Sequence, residues 1–148
     1  MLKNISNDLL YLLNILNSAE KIRFYSQDYN NPEAFYETNE QLNFNASLNL
    51  LANIGENVNK LSDELKSKYG QIEWSKIISY RHRIVHDYKS VDIFITFEII
   101  KGRLPDLILM ISRTVREQLN SGVFNKEEYL VASKSDFYKF VDFKKITL

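Results

Sequence analysis

Leu9, Leu12, Leu13 and Leu16 recur at spacings of three and four, with Glu20 and Ile22 beyond them. That period lays one apolar stripe along an α-helix, and it predicts a first helix starting near Ser6-Asn7-Asp8 and running to about Tyr29. The short oxygen-bearing side chains at its start are candidate N-caps, because they can satisfy the free N–H groups of a first turn. Asn30-Asn31-Pro32 stops it. Pro32 then suits the first position of a short helix through Glu33-Ala34-Phe35-Tyr36, where the N–H it lacks has no partner in any case. A second long face along Leu42, Ala46, Leu50, Asn53 and Asn57, flanked by Leu48, Leu51, Ile54, Val58 and Leu61, is broadly apolar and runs from about Thr38 to Leu61. Gly55 lies inside it and costs about 1 kcal/mol relative to alanine, a cost that close packing of another backbone would explain. Ser62-Asp63-Glu64-Leu65 opens a short helix, which Gly70 is expected to end in a left-handed conformation.

Trp74, Ile77, Ile78, Arg81, Ile84 and Val85 keep helical spacing and carry a fourth helix to the neighbourhood of His86-Asp87-Tyr88. Val91-Asp92 starts another, apolar on a wide face from Ile93 to Gln118, and Pro105 within it predicts a kink. Beyond Asn120-Ser121-Gly122 the composition shifts to Lys, Ser and aromatic residues. The expected organisation is a helical bundle over 1–120 and a helical or irregular extension over 121–148, packed on the same domain. Its aromatic run, Phe137 to Phe143, is expected to fold back as a last short helix.

Four glycines and two prolines in 148 residues punctuate too rarely for a sandwich or barrel, which need turn residues every ~8 to 12 positions. The fold class is therefore all-α. Nineteen Lys plus Arg balance 19 Asp plus Glu, a formal net charge of zero, which removes the broad electrostatic footprint of a duplex-coating protein and leaves room only for a local basic cleft. The absence of cysteine excludes a disulfide scaffold, a thiolate metal site and a cysteine nucleophile. Residues 1–8 show no secretory pattern and no stretch reaches the ~18 apolar residues of a membrane span, so the expected location is cytoplasmic, with no membrane partner. The many asparagines of the first half read as coding bias.

Candidate chemistry concentrates in Tyr80-Arg81-His82-Arg83-Ile84-Val85-His86-Asp87-Tyr88, which holds both histidines of the chain. Histidine titrates near neutrality and can take the proton of an attacking ribose 2′-hydroxyl or return one to a leaving oxygen. Arginine offers a planar fork to a phosphate and stabilises charge growing on its oxygens. Arg81 and His86 thus suit metal-free cleavage of a phosphodiester. At ~100° per residue, however, Arg81, Val85 and Tyr88 share a face while His86 lies roughly 140° from Arg81. Either the helix breaks near Asp87, or a second copy of the chain contributes its own pair across a two-fold axis. The alternative is surface ion pairing with Asp87 and Glu73. Two histidines four apart with no intervening Glu make no metalloprotease helix, and neither a phosphate-cradling Gly-rich segment nor a serine elbow is present. No metal or cofactor is expected, and Trp74 is expected to be a core anchor rather than a base platform.

Ile54-Gly55-Glu56, Leu61-Ser62-Asp63-Glu64-Leu65, Ile72-Glu73-Trp74-Ser75-Lys76-Ile77, Arg81 through Tyr88 and Leu104-Pro105-Asp106-Leu107 together resemble the HepT-like branch of the HEPN superfamily. The resemblance spans about Ser6 to Arg116 and centres on Arg, four residues, His, one residue, Tyr. It implies an up-and-down helical bundle, dimeric, whose two motifs line a cleft as a metal-independent ribonuclease toxin acting on RNA. By position Arg81 and His86 take the catalytic roles. It also implies a partner, a minimal nucleotidyltransferase antitoxin that neutralises the toxin by transferring AMP to the motif tyrosine, here Tyr88. The family commonly has a small polar residue after the arginine, where this chain has His82, a possible supporting group in proton transfer or a hydrogen-bonding neighbour. The alternatives are a non-catalytic helical adaptor, or an RNA- or nucleotide-binding subunit acting with a nucleotidyltransferase.

Overall fold

A computed structural model describes residues 2–146, with side chains from Asn7 onward. Among them the helices are α1 (Leu2–Ser26), α2 (Pro32–Glu37), α3 (Leu42–Lys60), α4 (Asp63–Lys68), α5 (Trp74–His86), α6 (Ile93–Glu98), α7 (Leu104–Asn120) and α8 (Lys126–Ser133). No strand occurs among the described residues. The fold is an all-α bundle, as the periodicity predicts, and no described helix is long and apolar enough to cross a membrane.

α3 lies at the centre, with α1 on one side and α5 on the other. Cross-helix pairs fix the directions. Asn14 of α1 meets Asn57, Ser18 meets Asn53, and the Tyr25 carbonyl accepts from Asn43, so α1 and α3 run antiparallel. Gly55 meets Arg81 while Asn45 meets Tyr88, so α3 and the α5 segment are antiparallel too. Leu9, Leu12, Leu13, Leu48, Ile54, Val58, Ile108 and Ile111 are buried in the common core. Each such aliphatic side chain contributes about 1.5–3 kcal/mol by leaving water.

The structure moves several expected boundaries. α1 begins at Leu2, ahead of the expected caps, and ends at Ser26, short of Tyr29. The Ser6 side chain lies outside the described residues. Asp8 is buried inside α1 and accepts from the backbone N–H of Ser62 (2.9 Å) and from its hydroxyl (2.6 Å). Burial pushes its carboxyl above the ordinary range, against the lowering effect of those two bonds. Ser62 in turn caps α4 through Leu65 N–H. Pro32 opens α2 as expected, with Asn31 capping Ala34 N–H. α3 starts at Leu42 rather than Thr38, because Asn39, Glu40 and Gln41 all take left-handed conformations, with φ of 50°, 54° and 71°. Gly70 is not left-handed: α4 ends through Tyr69, at φ −113°, and Gly122 is the described glycine with positive φ.

Asp92 caps α6 through Phe94 and Ile95 N–H. The expected kink at Pro105 takes the form of a π-helical turn over Ile99–Arg103, after which Pro105 falls in the first turn of α7. A proline ring meets the carbonyl four residues back in a regular helix, and a wider turn relieves that contact. Trp74 is a buried anchor whose indole N–H donates to the carbonyls of Tyr69 and Lys66. After α8 the chain folds back on α1 in two short 3-10 turns. Tyr138, Val141 and Ile146 are buried, Asn17 donates to the Phe137 carbonyl (3.0 Å), and the Tyr138 hydroxyl donates to Asn14 Oδ1 (2.7 Å).

Candidate active site

The site is built on the contact of α3 with α5. A Cβ on Gly55 would overlap Arg81 Cβ and stand 2.9 Å from its Cγ and 3.2 Å from the Ile77 carbonyl oxygen. The missing side chain therefore lets the stem of Arg81 lie on α3, which supplies the close approach that the sequence left without a partner. The guanidinium reaches the next residue, with Nη2 2.9 Å from Glu56 Oε2 and about a third of each side chain accessible. Arg81 thus does not use Asp87 or Glu73, and Glu73 pairs instead with Lys76 and Arg103.

α5 ends at His86, where Asp87 leaves helical geometry at φ −144°, ψ 53°. Tyr88 begins a 3-10 turn, Tyr88–Ser90. Its ring is half exposed and its hydroxyl donates to Asn45 Oδ1 at 2.6 Å, so this turn is tied back to the start of α3. His82 and His86, one helical turn apart, are both exposed and face each other with ring centroids 4.4 Å apart. On the buried side of the same helix, the Tyr80 hydroxyl shares a hydrogen bond with Thr96 Oγ1, and burial pushes that phenol upward. α5 is thereby fixed on two sides while its histidine face stays open.

Beside Arg81 lies a cleft of about 490 Å³. α1 lines it with Asn14, Asn17, Ser18 and Lys21, α3 with Asn49, Leu50, Ala52, Asn53 and Glu56, α5 with Arg81 and Val85, and the returning chain with Phe137. His82, His86 and Tyr88 do not line it. Within one chain Arg81 and His86 therefore occupy different faces, as helical arithmetic anticipated. Among the described residues no group of three or more His, Cys, Asp or Glu side chains is placed to hold a metal ion.

Sequence reasoning passed over Glu56 as a partner of Arg81, and it read the asparagines as coding bias. Asn45, Asn49, Asn53 and Asn57 repeat every fourth residue along α3, a signal that one helix face carries carboxamides. The row passes from the exposed Asn45, bound to Tyr88, to the buried Asn57, which accepts from Asn14 Nδ2 (3.0 Å) and donates to the Asn53 carbonyl (2.9 Å).

A family model described as ribonuclease HepT-like matches residues 15–114. The chain is similar to a Methanocaldococcus jannaschii protein named "Gamma-glutamylcyclotransferase and putative RNase", 31% identical over 117 residues, 79% of this chain and 51% of that protein. It thus spans about half the length of that relative. A second protein of the same organism, named "Putative RNase", is 23% identical over 97 residues, 66% of this chain and 86% of its own. A third, named "Putative RNase" from Caldanaerobacter subterraneus subsp. tengcongensis, is 28% identical over 65 residues, 44% of this chain and 58% of its own. No solved structure matches the chain.

Proposed function

The chain belongs to the HepT-like ribonuclease family, and from that premise we propose that it is a metal-independent endoribonuclease, the toxin of a toxin–antitoxin pair, acting in the cytoplasm as a homodimer. The observation that carries this reading is the geometry of α5. Arg81 is held at the lip of a cleft by one carboxylate oxygen, while His82, His86 and Tyr88 stay exposed at the helix end. Buried packing groups would show the opposite pattern.

In this mechanism the 2′-oxygen of a ribose attacks the adjacent phosphorus, forming a new P–O bond as the bond to the 5′-oxygen breaks. His86 of one protomer takes the 2′-proton and an imidazolium returns a proton to the 5′-oxygen, leaving a cyclic phosphate and a free 5′-hydroxyl. Arg81 binds the phosphate and the charge that grows on it. Because one chain turns Arg81 and His86 to different faces, a two-fold axis that sets the α5 helices side by side completes each site with both residues. His82, its ring tilted 48° to that of His86 at 4.4 Å, supports the orientation of that ring. The antitoxin is a nucleotidyltransferase that moves AMP from ATP to the Tyr88 oxygen, releasing pyrophosphate. The modified phenol loses its bond to Asn45, and its negative charge repels the RNA phosphate.

Incubating the purified protein with total RNA in excess chelator, beside Arg81→Ala and His86→Ala, tests this assignment. Cleavage is expected to survive chelation and to fall by roughly 10²–10⁴-fold in the histidine variant; undiminished cleavage in both variants refutes it. Intact mass reports whether the chain carries a nucleotidyl group. A second reading, a helical adaptor that binds RNA or its nucleotidyltransferase without cutting, draws support from the pairing of Arg81 with Glu56 and from the placement of both histidines outside the cleft. Binding of RNA at the unmodified mass with no cleavage would favour it.

A further inference from the structure

The cleft beside Arg81 has a chemistry of its own that the proton-transfer residues do not explain. Half of its polar lining residues are carboxamides, Asn14, Asn17, Asn49 and Asn53. Its charges are already engaged: Arg81 pairs with Glu56, and the Lys21 ammonium lies 5.6 Å from the centre of the Phe140 ring. The carboxamide wall is therefore suited to a neutral polar group, while a phosphate at Arg81 would have to compete with Glu56 for the guanidinium. Asn17 is the sharpest sign. It is 4% exposed, its Nδ2 donates to the Phe137 carbonyl, and its Oδ1 is buried without a hydrogen-bond partner in the protein. Buried carbonyl oxygens are normally paired, and this unpaired one sits on a residue that lines the cleft.

Resting on the ribonuclease reading, we propose that this cleft is a nucleobase subsite, taking one unpaired base of the RNA strand whose phosphate lies at Arg81. A carboxamide offers a donor and an acceptor side by side, as base edges do, and single-stranded RNA is read through such edges and through aromatic stacking. Asn49 offers its carboxamide to the base edge, and Asn17 offers its unpaired Oδ1. Phe137, 63% exposed at the cleft, supplies the ring on which the base stacks, and Leu50 and Val85 supply apolar walls. A volume of about 490 Å³ falls in the range of roughly 300–1,000 Å³ typical of small-ligand sites. The subsite makes Asn17, Asn49 and Phe137 specificity residues and leaves Arg81 and His86 the chemistry.

The test cleaves a pool of single-stranded RNAs, randomised over a short stretch, with the full chain and its Asn17→Ser, Asn49→Ala and Phe137→Ala variants, and sequences the product ends. Asn49 and Phe137 are exposed, so those variants keep the fold even if Asn17→Ser loosens the returning chain, which a circular dichroism melt reports. The expected result is a base preference at one position beside the cut, erased by the variants. Phe137→Ala should raise KM about 5- to 150-fold, the loss of one base–aromatic stack, with kcat nearly unchanged. Cleavage with the same preference and KM in all variants overturns the subsite and leaves the ribonuclease standing. If the wild-type chain never cuts, equilibrium dialysis with the four nucleoside 5′-monophosphates decides. Base-selective binding lost in Asn49→Ala and Phe137→Ala upholds the subsite without the ribonuclease, and unselective or absent binding overturns it.

Discussion

At the scale of single residues, the ion pair of Arg81 with Glu56 sets a competition. In the proposed mechanism a substrate phosphate must share or displace the carboxylate that holds the guanidinium at 2.9 Å. Partly exposed pairs of this kind are worth about 0.2–1 kcal/mol, so Glu56→Gln should lower KM for RNA by about 1.5- to 5-fold at low salt, with the gain shrinking as salt screens the pair. A KM that stays put or rises would show that Glu56 positions Arg81 instead of restraining it. Asp8 gives a prediction of another kind. Its carboxyl is raised by burial, so the stability it confers is full below the unfolded value of about 3.9 and is lost as pH rises through the higher folded value. Asp8→Asn removes that dependence while keeping an acceptor for Ser62 N–H. Its Tm, low beside the wild type near pH 4, should close the gap as pH rises toward 7; a gap constant across that range would contradict the argument. Asp8 also shows what sequence alone withholds. It looked like a cap of its own helix, whereas its partner is Ser62, 54 positions away.

Elements were legible where a period of three and four persisted and illegible where a tertiary contact decided. The cores of α1, α3, α5 and α7 follow from apolar spacing, and Asn31, Ser62 and Asp92 cap helices as short polar residues do. The late start of α3 depends on three left-handed residues without a glycine among them, which no propensity announces. Motif and landmark residues put Arg81, His86 and Tyr88 in view, but Asn45 and Glu56, which hold two of them, became visible only when α3 met α5. Gly55 connects these levels. In isolation Gly55→Ala would add about 1 kcal/mol of helix propensity. Here the new Cβ overlaps the Arg81 stem, and overpacking of this sort costs about 1–3 kcal/mol. The variant should melt lower and cut RNA more slowly than wild type. Gly102→Ala, where a Cβ meets nothing within 4 Å, should melt at the wild-type temperature or above it; equal behaviour of the two variants would remove the close approach as an explanation.

For the whole molecule, the returning chain is the feature that local pattern reading describes least. Its aromatic residues announce burial, yet their partners on α1 lie up to 124 positions earlier, beyond the reach of periodicity. Tyr138→Phe keeps the ring and removes the hydroxyl bound to Asn14, so it should cost about 0.5–1.5 kcal/mol, read as a lower midpoint in urea with unchanged slope. A larger loss would mean that the hydroxyl secures the whole returning segment. The same attachment also orders events in time. α1, α3 and the Arg81 helix are synthesised first, but the cleft they form lacks a wall until Phe137 emerges some fifty residues later, roughly three to ten seconds at ordinary translation speeds. A nascent chain therefore carries its arginine and both histidines well before it carries a finished groove, and the cleft is completed late in its own translation.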